Sequence, residues 1–316
     1  MLLPPPLVFT IALTGLIVSG RILIKTLSNL ATSFGVSKFA VAFVLLSIAT
    51  SLPELSVAIS AARQGAGEMI LAVVFGSNLI NSTLILGLAA FLSLGISTVE
   101  LSFRRDLILG TAIAILPLIL IVDGAIHPGE GIVLLGMFVY YVWLMYHSQV
   151  SNNSSFRLPH LTRGLANLAA TVVCITILMV SADKTVSSAL DIALALHIPP
   201  FIISIFLIAF GTSLPELVTA IHAARARLPG MALGNIIGSN ITNSSLILGI
   251  ASLITPVRVI HTPALVTTII FVACSALLIT ILAATRGRIS TREGALLMSL
   301  FVLFGIIILF SDLPAV

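Results

Sequence analysis

The sequence predicts an all-α membrane protein of ten transmembrane helices, arranged as two inverted five-helix repeats with breaks in the second, third, seventh and eighth helices. Three observations predict it. Residues of the AVILMFWYC class make up 59% of the 316 residues, only 8% are charged, and mean hydropathy is +1.22. A soluble domain carries about 25% charged residues, so this chain lacks the polar side chains to cover a water-facing surface. Runs of about 20 apolar residues recur from end to end, the length a helix needs to cross a hydrocarbon core of roughly 30 Å. Finally, two polar motifs embedded in those runs recur at one constant offset.

The apolar runs place helices at 7–29, 38–63, 68–93, 104–122, 130–148, 164–187, 199–224, 230–254, 262–284 and 292–312. A signal peptide is the rival reading of the first run. Pro4, Pro5 and Pro6 stand where a basic n-region would, and no small-residue cleavage site follows, so the run reads as a retained helix. With the N-terminus outside, the inner loops and helix ends hold Arg21, Lys25, Lys38, Arg104, Arg105, Arg157, Arg163, Arg225, Arg227, Arg286, Arg288 and Arg292; the outer ones hold Arg63, Lys184 and Arg258. This asymmetry obeys the positive-inside rule, puts both termini outside a plasma membrane, and accounts for the net charge of +4 without nucleic acid. The chain divides into a first repeat (1–148), a cytoplasmic connector (149–163) rich in Asn and Ser, and a second repeat (164–316). Cys174 and Cys274 sit inside apolar runs and read as buried thiols.

The repeat is in the residues themselves. ATSLPELSVAISAAR (49–63) recurs as GTSLPELVTAIHAAR (211–225), and GSNLINSTLILGLA (76–89) as GSNITNSSLILGIA (238–251). Glu54 and Glu216 are 162 residues apart, as are Ser77 and Ser239, and Asn81 and Asn243. Five helices per copy is an odd number, so the second copy crosses in the opposite sense. Transporters built this way place their substrate near the midplane between the repeats.

Glu54 lies nine residues before Arg63, and Glu216 nine before Arg225. That is about 13 Å of helix, which brings both carboxylates to mid-membrane, where an acidic residue costs roughly 2.5–3.5 kcal/mol on insertion scales. With no Lys or Arg at that depth, cations or protons are the simplest partners. Pro53 and Pro215, after Ala49–Thr50–Ser51 and Gly211–Thr212–Ser213, predict a break in each helix. Non-helical backbone at this depth is tolerated only inside protein or along a polar cavity, and there the carbonyls of Ser47, Thr50, Ala209 and Thr212 become free oxygens. Gly76 and Gly238 predict a second pair of breaks beside Ser77–Asn78 and Ser239–Asn240. Carboxylate, hydroxyl, amide and carbonyl oxygens without His or Cys suit hard cations such as Ca²⁺ and Na⁺.

Competing structural readings exist for each group. Ser51-x-x-Glu54 and Ser213-x-x-Glu216 match capping boxes. Asn81 and Asn243 could serve as interhelical glue, and Ser77 and Ser239 as small packing residues. Asp183 and Lys184 read as an interfacial pair at the end of the sixth helix, His222 as an interfacial side chain, and Trp143 with Tyr140, Tyr141 and Tyr146 as fifth-helix packing and an interface anchor. A channel would ordinarily gather equivalent ligands by oligomerising, and no nucleophile–base pair or phosphate loop points to an enzyme.

The paired G/A-T-S-L-P-E and G-S-N-x-x-N segments resemble the α-repeats of the calcium/cation antiporter superfamily, and the size resembles the compact prokaryotic sodium/calcium exchangers. The resemblance spans essentially the whole chain. It implies that the second, third, seventh and eighth helices form a core around the ions, past which the first and sixth slide. It implies Glu54 and Glu216 as principal Ca²⁺ ligands, with Thr50, Ser51, Thr212, Ser213 and the backbone oxygens of Ser47 and Ala209 completing the calcium and sodium sites. Ser77 and Ser239 would serve flanking sodium sites, with Asn81 and Asn243 between them. It implies no cofactor: Ca²⁺ and Na⁺, or H⁺, are the transported substrates, and the lipid bilayer is the surrounding partner. Some sodium/calcium exchangers carry Asp where this chain has Asn243. Two carboxylates balance one Ca²⁺, two Na⁺ or two H⁺, which argues against a three-for-one electrogenic exchange and keeps H⁺/Ca²⁺ exchange open as the alternative. The first copy also has Ala72–Val73 where the second has Gly234–Asn235.

Overall fold

A computed structural model describes residues 4–33, 46–97, 101–149, 161–225, 229–258 and 263–311. The chain is mostly helical, and each predicted apolar run meets a helix. These are α1 (Pro5–Ser33), α2 (Leu46–Thr50 and Leu52–Arg63), α3 (Gly67–Leu92), α4 (Leu101–Leu120), α5 (Pro128–Gln149), α6 (Leu161–Leu196), α7 (Pro200–Thr212 and Leu214–Arg225), α8 (Pro229–Ile241 continuing to Leu248–Ile254), α9 (Pro263–Arg286) and α10 (Thr291–Ser311). Among the described residues, six of them are long and apolar enough to cross a membrane, and the bent α7 pair makes a seventh. The residues 150–160 of the expected connector, with Asn152, Asn153, Ser154 and Ser155, lie outside the described residues, as do Lys38, Arg157 and Arg227.

Burial sorts the helices into a core and a ring. In α3, 94% of the membrane-length window is buried and in α8 78%, against 22% in α5, 33% in α9 and 28% in α10. Helices apolar on all sides are stable only inside protein or in lipid. The exposed Ile132, Val133, Ile270, Val302 and Leu309 of the ring therefore form a lipid-facing surface. Cys174 is buried, but Cys274 is exposed on the outer side of α9, which corrects the expectation that both are buried.

Two short strand pairs tie the halves together at opposite ends of the bundle. Ile96–Ser97 (β1) pairs with Arg288–Ile289 (β4), and Ala125–Ile126 (β2) with Val257–Arg258 (β3), both antiparallel. Two glycine crossings lie beside them. A Cβ on Gly87 of α3 would lie 2.6 Å from the Gly294 carbonyl of α10, and one on Gly249 of α8 would lie 3.0 Å from the Gly131 carbonyl of α5. Each crossing joins a core helix of one half to the last helix of the other.

The breaks are partly where proline puts them. Ser51 interrupts α2 immediately before Leu52–Pro53, and Ser213 interrupts α7 with a bend of 44°. The breaks expected at Gly76 and Gly238 are absent: both helices run through these residues and widen instead into π-helical turns at Asn81–Ile85 and Thr242–Ile247. Gly76 serves packing, since a Cβ there would come within 3.0 Å of the Ala209 Cβ. A third π-helical turn covers Ser204–Ala209. Helix α6 also runs past its expected end at 187 to Leu196, so Asp183 and Lys184 stand within a helix rather than at its end.

Gly87→Val should lower stability by about 1–3 kcal/mol through overpacking. Gly136→Ala, a helix-interior position with open space around its Cβ, should instead raise it by about 0.5–1 kcal/mol. Thermal unfolding in detergent checks both.

Candidate functional site

Proline chemistry and the interruption at Ser51 and Ser213 turn Glu54 and Glu216 into the first-turn residues of two short helices, Leu52–Arg63 and Leu214–Arg225. Both carboxylates are only 1% exposed. Neither closes the capping box that its sequence permits. Ser51 makes no side-chain cap, and its Oγ is buried without a hydrogen-bond partner. Elsewhere the same chain does form that motif: the Ser290 amide and hydroxyl donate to Glu293 Oε2 at 2.7 and 2.8 Å. Glu54 and Glu216 are thus turned away from the local cap and towards each other's half.

Ser77 and Ser213 both donate to Glu54 Oε1 at 3.4 Å, one from its own half and one from the other. Ser239 donates to Glu216 Oε1 at 3.4 Å, and Thr50 Oγ1 lies 3.3 Å from Ser239 Oγ. Thr212 approaches Glu54, Thr50 approaches Glu216, and Glu216 lies within electrostatic reach of Glu54. Contacts of 3.4 Å are long for a hydroxyl and a carboxylate, so they orient the groups without neutralising them. The second oxygens, Glu54 Oε2 and Glu216 Oε2, are buried with no hydrogen-bond partner, and so are Asn81 Oδ1 and Asn243 Oδ1. Among the described residues no Lys or Arg forms an ion pair with either carboxylate.

The Ser47 and Ala209 carbonyls differ from expectation. Each already accepts two hydrogen bonds: Ser47 from the Ser51 amide at 3.2 Å and the Thr50 hydroxyl at 3.2 Å, Ala209 from the Ser213 amide at 3.0 Å and the Thr212 hydroxyl at 3.2 Å. The cause is the register of the break. Proline removes an amide, and with it the bond that the residue four before it would accept. That residue is Ala49 or Gly211, so Ser47 and Ala209 keep their donors.

Beside the carboxylates runs a reciprocal polar network. Asn78 Nδ2 donates to Ser244 Oγ at 2.7 Å, and Asn240 Nδ2 to Ser82 Oγ at 2.8 Å. Asn81 Nδ2 donates to Asn240 Oδ1, and Asn243 Nδ2 to Asn78 Oδ1, both at 3.1 Å. Every bond runs from one half to the other and has its counterpart at the repeat offset. Asn81 and Asn243 are therefore interhelical fasteners through Nδ2 while their Oδ1 atoms stay unpaired. Asn78, Asn240, Ser82 and Ser244 complete the network and were not among the residues singled out as ligands. The N-S pair at 81–82 and 243–244, identical in both copies, was the available signal.

The other polar residues divide. Asp183 Oδ1 accepts from Ser60 Oγ at 2.5 Å, joining α6 to α2, so it makes a contact between helices. His222 is exposed, away from the carboxylates. Trp143 stacks on Tyr140 with ring centroids 6.1 Å apart, both half-exposed on α5, while Tyr141 is buried; the Tyr146 side chain lies outside the described residues.

A family model described as sodium/calcium exchanger protein matches residues 5–147 and again 166–310. The sodium/calcium exchanger MaX1 of Methanosarcina acetivorans is 30% identical over 96% of this chain and 98% of its own. An uncharacterized membrane protein of Methanocaldococcus jannaschii is 32% identical over 87% and 88% respectively. A structure of the sodium-calcium exchanger NCX_Mj, soaked in 10 mM Na⁺ without Ca²⁺, superimposes with a TM-score of 0.69 at 27% identity, covering 95% of this chain and 97% of that one.

Asn78→Ala and Asn240→Ala should each cost about 1–3 kcal/mol, the range for stranding a buried partner, and by nearly equal amounts because the network is duplicated. Chemical or thermal unfolding of the two variants side by side checks the equality.

Proposed function

The chain belongs to the sodium/calcium exchanger family, and from that premise we propose that it exchanges Ca²⁺ for Na⁺ across the plasma membrane, moving Ca²⁺ outward. It is an integral membrane transporter, not an enzyme, and the ions are its cargo rather than cofactors. The observation that carries the reading is the pair of buried carboxylates whose second oxygens have no hydrogen-bond partner among the described residues. Two like charges in a low-dielectric site repel each other, so a divalent cation or two monovalent ones bound between them relieves both repulsion and desolvation.

On this reading Glu54 Oε2, Glu216 Oε2, Asn81 Oδ1 and Asn243 Oδ1 are the foremost ligand atoms, with Ser51, Thr50, Thr212, Ser213, Ser77 and Ser239 supplying hydroxyls. The Ser47 and Ala209 carbonyls, already accepting two bonds each, would contribute only by exchanging one of them. The two halves (1–148 and 164–316) act as inverted five-helix repeats, and access alternates as the pair α1 and α6 moves against the core. Support comes from the helix-for-run correspondence, from the family match falling once on each half, and from the strand pairs. Those pairs gather Ile96 and Arg288 at one end and Ala125 and Arg258 at the other, in keeping with an inner face that holds Arg288 and an outer face that holds Arg258. Both termini are then outside.

Charge count decides the stoichiometry proposed. With Asn rather than an acidic residue at 243, two carboxylates balance one Ca²⁺ or two Na⁺, an electroneutral exchange. The same count admits two H⁺, so H⁺/Ca²⁺ exchange through the same glutamates is the second reading.

Glu54→Gln and Glu216→Gln should each abolish ⁴⁵Ca²⁺ uptake into sodium-loaded vesicles while the purified variants keep the parental elution profile and helical content; substantial retained uptake rejects the assignment. Uptake driven by a pH gradient in sodium-free vesicles would favour the proton reading. A valinomycin-imposed potassium potential should leave a two-for-one exchange rate unchanged, and a potential-dependent rate would mean a third Na⁺ held by neutral oxygens alone.

A further inference from the structure

The two halves approach their carboxylates through unequal surroundings. In the second half, Asn235 of α8 is 1% exposed, and neither its Nδ2 nor its Oδ1 has a hydrogen-bond partner among the described residues. A buried primary amide with both ends unpaired is rare and costly, because each group forfeits water without replacing it. Its position gives it a use. Asn235 is four residues before Ser239, so the two side chains lie on one face of the helix, about 6 Å apart along the axis. Ser239 in turn donates to Glu216 Oε1. Towards the other end, Pro229 starts α8 six residues earlier, about 9 Å along, directly after Arg225 and the residues 226–228. From the end marked by Arg225 to Glu216, polar groups therefore follow one another: Asn235, then Ser239 one helical turn on, then the carboxylate to which Ser239 donates.

The first half has no such step. The residue at the equivalent place before Ser77 is Val73, fully buried and apolar. On that side a cavity of about 670 Å³ lies against Gly65–Met69, Leu190, Pro200, Thr255, Pro256 and Arg258. It touches α3 at Met69, eight residues or about 12 Å short of Ser77, and Val73 stands halfway between them.

Resting on the transport reading above, we propose that Asn235 is an ion waypoint outside the central site: its amide replaces part of the hydration shell of a Ca²⁺ or Na⁺ travelling between the Arg225 end and Glu216, a function that no residue supplies at the equivalent position on the Arg63 end. Both ends of the amide are used, the carbonyl oxygen by the cation and the N–H by a water that accompanies it. That use accounts for an amide here although its burial weakens the packed helix, and Val73 shows that the same position in the fold accepts an apolar side chain.

The test is Asn235→Val, which installs the residue found in the other half, with Val73→Asn as its reciprocal. Proteoliposomes of both orientations give the half-saturating Ca²⁺ concentration at each face separately, with sodium on the opposite side. Asn235→Val should raise that concentration about tenfold at the face carrying Arg225, the order of one lost hydrogen-bond-type contact to a charged group. The face carrying Arg63 should stay within about twofold. The variant should also melt no lower than the parent in detergent, because an orphaned amide has been replaced by an apolar group. Val73→Asn should lower the half-saturating concentration at the Arg63 face. Unchanged values at both faces, equal shifts at both, or a variant that melts lower or fails to fold would overturn the waypoint. A parent protein without Ca²⁺/Na⁺ exchange would instead overturn the transport reading on which the waypoint depends.

Discussion

At the centre of this molecule two carboxylates have to exist where water is scarce, and the rest of the structure answers to that requirement. Only 8% of the residues are charged, yet Glu54 and Glu216 are among the least exposed side chains in the protein. A lone carboxylate at this depth would be expelled, protonated or paired. Here each is steadied by hydroxyls, one of them, Ser213, reaching Glu54 from the opposite half. One half alone would strand its acid and its amides together. That dependence makes the two halves one folding unit, because the alternative to pairing is an unsatisfied polar group in hydrocarbon, at a cost of several kcal/mol each.

The amide network shows how completely the duplication has been used. Asn78 and Asn240 each both donate and accept across the interface. The π-helical turns that begin at Asn81 and Thr242 lie next to these bonds. A π turn shifts the side chains that follow it around the helix axis and leaves backbone groups poorly paired, which is why such turns persist mainly at working sites. The glycine crossings at Gly87 and Gly249 seat α3 against α10 and α8 against α5, while the amide bonds join α3 directly to α8. π turn and reciprocal amide bond are parts of one close interface.

The sequence disclosed whatever repeats in register or breaks a periodic rule. Glu54 and Glu216 were legible because an acid inside an apolar run is conspicuous, and both are buried. The break before Pro53 was legible because a missing N–H has a fixed consequence. Three features were not. A glycine within a helix can mark either a break or a close contact, and only the neighbour, Ala209 against Gly76, decides between them. The Ser47 and Ala209 carbonyls were expected to be free, but the loss from proline falls on Ala49 and Gly211, and the adjacent Thr hydroxyls add a second donor. The partnership of Asn78 with Ser244 depends on how two inverted copies interlock, which no single helix specifies. Ser51-x-x-Glu54 and Ser290-x-x-Glu293 make the point within one chain: the same four-residue pattern closes a cap at the second site and leaves the acid free at the first.

The proposed transport, with an ion reaching Glu54 and Glu216 by unlike routes from the two faces, has a thermodynamic consequence. If these two residues hold the ion, its equilibrium affinity for one occluded arrangement is a property of that arrangement, independent of the face from which the ion came. A polar step on one route therefore cannot set the direction of net exchange, which follows from the ion gradients alone. It can lower the barrier for entry and exit together, and it can bind the ion in states open to that face. Linkage then requires that any gain in affinity on that side appear as an equal bias of the open–occluded equilibrium towards it. On that proposal the repeated motifs set what the centre binds, while a position at which the copies differ, Val73 against Asn235, adjusts the concentration range to which each face responds.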